Sequence, residues 1–259
     1  MAFQTSLMAY FEEFTQTLAT DTGDWVVKGF IDVYRNIYTI SVDTKVVSKL
    51  IELMLIPLIM QYAQQHGYEL VLSEYQNHYP DVSLVAADGT RIALDLKSTY
   101  RTNPTAVNGF TLGAFTGYFR DRTSTKNVTF PYATYAGHFV LGIIYTRTDE
   151  SIDERRIYKL EDLLEIASVI KDFQFLLQEK WRIASDHPGI GNTKNIGSVR
   201  DIERLVAGQG PFSVYGEAVF ADYWMNYLTN DMARAIESNV PYRNLAEYLQ
   251  WRERAPLLK

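Results

Sequence analysis

Three ionisable residues stand at a spacing that can do phosphoryl chemistry: Asp81, directly after Pro80, then Asp95 and Lys97 with Leu96 between them. Asp81–Ala86 and Arg91–Thr99 both alternate apolar and polar residues, and Ala87-Asp88-Gly89 between them is a turn signal. Val82, Leu84 and Ala86 fall on one face of the first strand; Ile92, Leu94 and Leu96 fall on one face of the second. Asp81 and Ser83 share the opposite face, as do Ala93, Asp95 and Lys97. A two-residue turn sets Asp81 opposite Leu96 and mixes the faces. A three-residue turn sets Asp81 opposite Asp95 and Val82 opposite Leu94, so the hydrophobic pattern selects it. Two convergent carboxylates suit a hard divalent cation such as Mg2+, with water completing the shell. An ammonium beside them can position or activate water and offset charge on a pentavalent phosphate, as phosphodiester hydrolysis requires. The plain alternative is a surface hairpin with a cross-strand salt bridge. Asp43-Thr44-Lys45 repeats the Asp-x-Lys spacing, but there Asp43 reads better as a helix cap.

Glu52 sits in LIELMLIPLIM, a helical stretch apolar on most sides, where an unpaired carboxylate is costly. It is either a further acidic group directed at the same metal site or part of a solvent-facing stripe with Lys45 and Lys49. The run Gly189-Ile190-Gly191-Asn192-Thr193-Lys194-Asn195 lies in a Gly/Asn/Pro loop over 186–197, closed by Ser198 as the cap of a short helix. Glycines expose backbone groups, Asn can bond the adenine N6/N7 edge, and a Thr methyl can meet a thymine methyl, so such a loop can read a major groove. Gly and Asn are also ordinary turn residues, so a plain surface loop has the same composition. Gln76 and Asn77 can likewise probe a groove or cap a turn.

The elements that must position these residues read as follows. Residues 2–19 form an amphipathic helix with Phe3, Leu7, Tyr10, Phe11, Phe14 and Leu18 at helical spacing, and 25–40 are strands. Ser41 or Asp43 caps a long helix from about Thr44 to His66, bent or restarted at Pro57. A strand at Tyr68–Leu72 precedes the hairpin. Gly137–Arg147 is almost continuously apolar, as in a strand covered on both faces, and Phe173–Ser185 is a further strand or pair. Helices at about 215–228 and 241–254 finish the chain. Helices at both ends around a mixed sheet give the α/β (α+β) class, a mixed β-sheet core flanked by helices.

The 259 residues hold 47% hydrophobic and 22% charged residues, which excludes a disordered chain. No linker or repeat divides them, so a single domain is expected. The absence of cysteine excludes a disulfide scaffold and thiol catalysis. Leu50–Met60 is about half a membrane span and carries Glu52 and Pro57, and no signal peptide is visible; a cytoplasmic protein without a membrane partner is expected. The net charge of −6 hides an asymmetry. Between Ala86 and Thr148 seven bases face three acids, and between Lys180 and Arg204 five face three, so a polyanion can be held by the middle and rear of the chain.

In order along the chain, DTKVVSKLIELMLIP at 43–57, QNHYPD at 76–81, IALDLKSTY at 92–100, FTLGAFTGYFR at 110–120, YTR at 145–147, and LQEKWRIA with GNTKNIGS at 177–198 form a specific set. Together they resemble the EcoRV family of type II restriction endonucleases, within the PD-(D/E)xK nuclease superfamily. The resemblance runs from about Ser41 to Ser198 and weakens beyond. It implies a restriction-endonuclease-like fold and Mg2+-dependent hydrolysis of double-stranded DNA. The cut is expected at a short palindrome, GATATC or a relative, with blunt ends carrying 5′-phosphates. It gives Asp81 and Asp95 the Mg2+, makes Lys97 the active-site lysine and Glu52 an accessory acidic group for a second metal position, with Lys45 a lesser candidate. Gly189 to Asn195, comprising Gly189, Ile190, Gly191, Asn192, Thr193, Lys194 and Asn195, would read the major groove. Gln76 and Asn77 would approach the minor groove, and Ser98 and Thr99 the backbone phosphate. It further implies a homodimer, with a dimerisation part at about 1–66 and a DNA-binding and catalytic part at about 67–259. A protective DNA methyltransferase is the functional partner. Ile190 and Lys194 stand where the family pattern has Ser and Thr, and Tyr75 stands in place of a Gln, which puts the exact site in question. The rivals are a repair or structure-specific nuclease of the same superfamily and a binding-only protein whose carboxylates are structural. A small-molecule hydrolase is more distant, since no nucleophile elbow or phosphate-binding glycine loop is visible.

Overall fold

The hairpin takes the register that its hydrophobic pattern selects. Val82 faces Leu94, Ser83 faces Ala93 and Leu84 faces Ile92 in an antiparallel ladder. Ala87, Asp88 and Gly89 make the three-residue turn: the Ala86 amide donates to the Thr90 carbonyl at 2.8 Å. The computed structural model describes residues 2–75, 77–148, 153–189 and 192–254. In chain order its elements are α1 (Ala2–Met8), α2 (Phe11–Leu18), β1 (Gly29–Ile31), β2 (Ile37–Thr39), α3 (Thr44–Gln65), β3 (Tyr68–Leu72), β4 (Val82–Ala86), β5 (Arg91–Asn103), β6 (Ala106–Val107) and β7 (Thr111–Ala114). There follow β8 (Tyr135–Arg147), β9 (Ile157–Tyr158), β10 (Ile170–Glu179), α4 (Lys180–Ile183), β11 (Ala184–Gly189), β12 (Asn192–Ser198), α5 (Ile202–Ala207), α6 (Glu217–Asn226), α7 (Asn230–Ala235) and α8 (Leu245–Arg254).

The central sheet runs β10-β8-β5-β4-β3, with β6 beside the far end of β5. β5 and β8 are parallel and the other neighbours antiparallel, so the sheet is mixed. Its two faces bury different parts of the chain. Leu84, Leu94, Leu141 and Ile143 pack against Phe3, Leu7 and Phe14 of α1 and α2 and against Val47, Ile51, Leu55 and Ile59 of α3. Ala93, Val140, Ile144 and Leu176 pack on the other side, beneath Phe110, Phe220, Trp224 and Tyr248. That two-sided cover is why β8 is apolar along nearly its whole length.

Several elements differ from the sequence reading. The N-terminal helix is two, because the chain breaks at Ala9–Tyr10, where the Tyr10 amide bonds the Leu7 carbonyl at 3.1 Å. α3 continues through Pro57 without restarting; Pro57 and Leu53, four residues before it, lie on the exposed side, where water can take up the carbonyl that proline leaves unbonded. Asp43 caps α3 by accepting from the Lys45 and Val46 amides at 2.8 and 3.2 Å. α3 is also long and apolar enough to cross a membrane, yet its stripe from Val47 to Tyr62 is core. The described residues of 186–197 form strands β11 and β12 rather than a loop, with Gly189 facing Asn192; Ile190 and Gly191 lie outside the described residues. The pairing of β12 with β7 supplies the ladder that Gly and Asn content alone does not favour. Glycine is required at Gly197, where a Cβ would stand 2.9 Å from the His187 carbonyl. Ser198 ends β12; it accepts from the Phe110 amide at 2.8 Å, and Asp201 caps the following helix instead.

Candidate active site

Asp81 sits where the chain turns into β4, and Asp95 and Lys97 follow on β5. Alternation puts all three on the face away from α3, as the hairpin register requires. Lys97 Nζ donates to Asp81 Oδ2 at 3.2 Å and to the Leu96 carbonyl at 3.1 Å, and lies 2.9 Å from Asp95 Oδ2. The Leu96 amide donates to Asp81 Oδ2 at 2.7 Å, tying the first carboxylate to the strand that carries the second. Asp95 is 4% exposed, whereas the Asp81 and Lys97 side chains open to a cleft. Burial, and next the charge of Asp95, raise the Asp81 carboxyl to about 7 against the pull of Lys97. Burial alone would lower the Lys97 ammonium, but Asp95 and then Asp81 outweigh it and hold its pKa above the usual lysine value. One ammonium serves two carboxylates, so the metal-free site is short of positive charge.

That shortage is a fit test for a cation. Lys97 Nζ has three oxygens around it, from Asp81, Asp95 and the Leu96 carbonyl. An all-oxygen set of this kind, two of it anionic, suits a hard divalent ion. Among the described residues no group of three or more Asp, Glu or His side chains converges, so the set is a carboxylate pair with a carbonyl.

The cleft, of about 430 Å³, is walled on one side by α3. Ser48 and Ser98 hydroxyls hydrogen-bond at 2.7 Å and clip the helix to β5. This brings Glu52 into the cleft wall with Asp81, Lys97 and Lys45, although Lys49 holds the Glu52 carboxylate at 2.6 Å. Glu52 thus lies with Lys45 and Lys49 on a polar stripe that lines the cleft. Thr99 is buried, and its hydroxyl has no hydrogen-bond partner among the described residues. Asn77 is exposed in the turn before Tyr79; Gln76 lies outside the described residues.

A second hollow, of about 380 Å³, borders the first: Asn108, Gly109 and Thr111 line both. Its far wall includes Gly189, Gly197 and Arg200, so the cleft continues to the β11–β12 hairpin. Lys194 is exposed there and its carbonyl accepts from the Phe115 amide at 3.2 Å; Asn195 is half-buried and faces Ala114. Asn192 and Thr193 are placed by their backbone in β12, and Ile190 and Gly191 lie outside the described residues. One wall thus joins the carboxylates to the hairpin.

The model of the restriction endonuclease EcoRV family matches residues 21–253. The type II restriction enzyme EcoRV of Escherichia coli is 37% identical over 228 residues, which are 87% of this chain and 90% of that protein. The chain belongs to the EcoRV family of restriction endonucleases. It is therefore a nuclease, and the mixed sheet with flanking helices is the restriction-endonuclease fold.

Sequence reasoning missed some residues around this EcoRV-type site. Ser48 is a plain polar residue on a helix until its bond to Ser98 is seen. Asn108 follows β6 with no motif to mark it, and Thr111 stands in FTLGAFTGYFR with no role assigned to it. Lys180 sits in LQEKWRIA and reads as the charged end of an apolar strand, yet it is 2% exposed.

Proposed function

We propose that the protein is a Mg2+-dependent, homodimeric type II endonuclease that cuts both strands of DNA at GATATC or a closely related palindrome. The products carry 5′-phosphates and 3′-hydroxyls at blunt ends. The observation that carries this reading is the co-facial Asp81, Asp95 and Lys97 at one end of a wall whose other end is the β11–β12 hairpin.

Asp81, Asp95 and the Leu96 carbonyl would hold the Mg2+, with Glu52 as an accessory acidic group across the cleft. The bound ion supplies positive charge against the phosphate and lowers the pKa of water. With Asp81 and Asp95 holding the cation, the Lys97 ammonium beside them would face the scissile phosphate. There it offsets the charge that builds up in the in-line displacement and orients the attacking water. Ser98 and Thr99, the next residues of β5, contact the flanking phosphate. The run Gly189, Ile190, Gly191, Asn192, Thr193, Lys194 and Asn195 reads the major groove, and Gln76 and Asn77 approach the minor groove.

The dimer follows from palindromic cutting and from exposed apolar residues on the three-stranded sheet β1-β2-β9. Phe30 is 49% and Ile31 58% exposed on β1, and Val33 in the β1–β2 turn is 90% exposed, apolar surface that a solvated monomer leaves uncovered. α1 and α2 turn Phe3, Leu7, Phe14 and Leu18 into the core, and within the dimerisation part at about 1–66 this small sheet offers the exposed apolar face. The enzyme acts in the cytoplasm beside a methyltransferase that protects the host's own sites.

The test is cleavage of duplex DNA by wild type, Asp95→Ala and Lys97→Ala with Mg2+, and DNA binding by all three with Ca2+. Both variants should lose cleavage by about 100-fold or more, as expected when a preorganised charge is removed from the transition state. Full activity in either variant contradicts the assignment. Mg2+-independent binding without any cleavage by the wild type identifies a binding-only protein.

A further inference from the structure

Lys180, the first residue of α4, is 2% exposed, and its ammonium makes no ion pair or hydrogen bond among the described residues. A lysine this deep is rarely left without a partner. Its Nζ lies 4.0 Å from the ring centroid of Tyr79 and 5.5 Å from that of Tyr132. Tyr79 in turn bonds His138 Nδ1 through its hydroxyl at 2.9 Å, and His138 stacks on Tyr132 with centroids 3.8 Å apart. Burial, then Lys180 and Arg122, hold that imidazole well below its usual pKa, so it is a neutral packing partner. The site described above uses none of these groups.

The box touches two things that matter to that site. Tyr79 stands two residues before Asp81, with only Pro80 between them, so fixing its ring fixes the corner that presents the first carboxylate. Lys180 also shares the sheet face of Asp95, whose charge supports the ammonium against its burial; burial still lowers the ammonium to about 8. On the other side, Lys180 Nζ lies 3.8 Å from where a Cβ on Gly113 would stand, and Gly113 belongs to β7, the strand paired with β12. A cation seated on an aromatic face is held more strongly in a dry site than at an exposed one.

We propose that Lys180 is a positioning residue of the catalytic centre: seated on Tyr79 between β7 and the carboxylates, its ammonium holds the Tyr79–Pro80–Asp81 corner and adds a remote positive charge on the Asp95 side of the sheet, without contacting either carboxylate. It touches neither DNA nor metal and acts through Tyr79 and the two carboxylates. The inference rests on the nuclease reading above.

The experiment compares wild type with Lys180→Met, Lys180→Gln and Lys180→Arg in the full-length protein. It measures kcat at saturating DNA and Mg2+, the Ca2+ concentration that half-saturates DNA binding, DNA affinity at saturating Ca2+, and Tm. Lys180→Met should fold, because replacing a buried charge by an apolar isostere is commonly neutral or stabilising. It should lose about 10- to 100-fold in kcat and need about 10-fold more Ca2+, the cost typical of groups that orient metal ligands. DNA affinity at saturating Ca2+ should stay within about threefold, and Lys180→Arg, which keeps the cation, should recover most of the loss. Wild-type kcat and Ca2+ requirement in Lys180→Met overturn the proposal. So does a Lys180→Arg variant as slow as Lys180→Met, since the charge is then not the agent. Loss of folding in both neutral variants overturns it as well, because Lys180 then serves the fold. Failure of the nuclease reading shows separately, as a wild type that neither cleaves with Mg2+ nor binds DNA with Ca2+, and it removes this proposal too.

Discussion

Replacing Asp81 with Asn should make the metal-free protein more stable at pH 8 while destroying its activity. Asp81 shares one ammonium with Asp95, and its carboxyl is raised from the usual 3.8 to about 7. The folded state therefore holds a proton that the unfolded chain releases near pH 4. The stabilising effect of that proton is complete below pH 3.8 and is lost as pH rises through about 7. The difference corresponds to a ceiling of about 4 kcal/mol. A quarter of the Asp81 side chain is exposed and the proton is shared with its neighbour, so about 2 kcal/mol is the working figure. Asn keeps the shape and never ionises. For a chain of this size, about 2 kcal/mol is about 4–8 °C in Tm. The assay is thermal unfolding in a chelator at pH 5 and pH 8, read as the difference between Asp81→Asn and wild type so that other titrations cancel. The difference should favour the variant at both pH values and be about half as large at pH 5 as at pH 8, because pH 5 lies partway between 3.8 and 7. A variant less stable at pH 8, or a difference that ignores pH, refutes the charge-shortage argument.

The same shortage predicts proton release on metal binding. Between about pH 6 and 7 Asp81 is partly protonated, so Mg2+ or Ca2+ titrated into lightly buffered protein should release a fraction of a proton per site, and Asp81→Asn should release less. Phe30→Asp places a charge on the exposed β1–β2–β9 face and should convert a dimer to a monomer in sedimentation with Tm little changed, because Phe30 is outside the main core. Gly197→Ala sets a Cβ 2.9 Å from the His187 carbonyl and should spread β11 from β12. Circular dichroism should be retained, but site-specific binding should weaken by about tenfold or more while binding to unrelated DNA, carried by phosphate contacts, changes little.

The residues differ in how far the sequence alone revealed them. The Val82–Leu94 register was legible because one face of the hairpin is buried, and a one-residue slip would expose every apolar side chain. Asp81, Asp95 and Lys97 fall together for the same reason. The β11–β12 hairpin was not legible, because its strands take their order from β7, some 80 residues earlier, and their Gly, Asn and Pro content carries the opposite local signal. Glu52 was half legible: helical spacing showed a polar stripe, but only the Ser48–Ser98 bond turns that stripe toward the cleft. Lys180 was invisible, since a lysine at a strand end normally reaches solvent and nothing local tells that Tyr79, a hundred residues away, roofs it.

The most direct measurement is digestion of a sequenced plasmid by the purified protein with Mg2+, followed by sequencing of the product ends. Discrete fragments whose 5′-phosphorylated ends fall at one position inside one palindrome are the predicted result, and they supply the recognition sequence at once. Intact plasmid, or nicks at scattered positions, contradicts the central claim that the Asp81–Asp95–Lys97 centre and the β11–β12 hairpin act together as a site-specific nuclease.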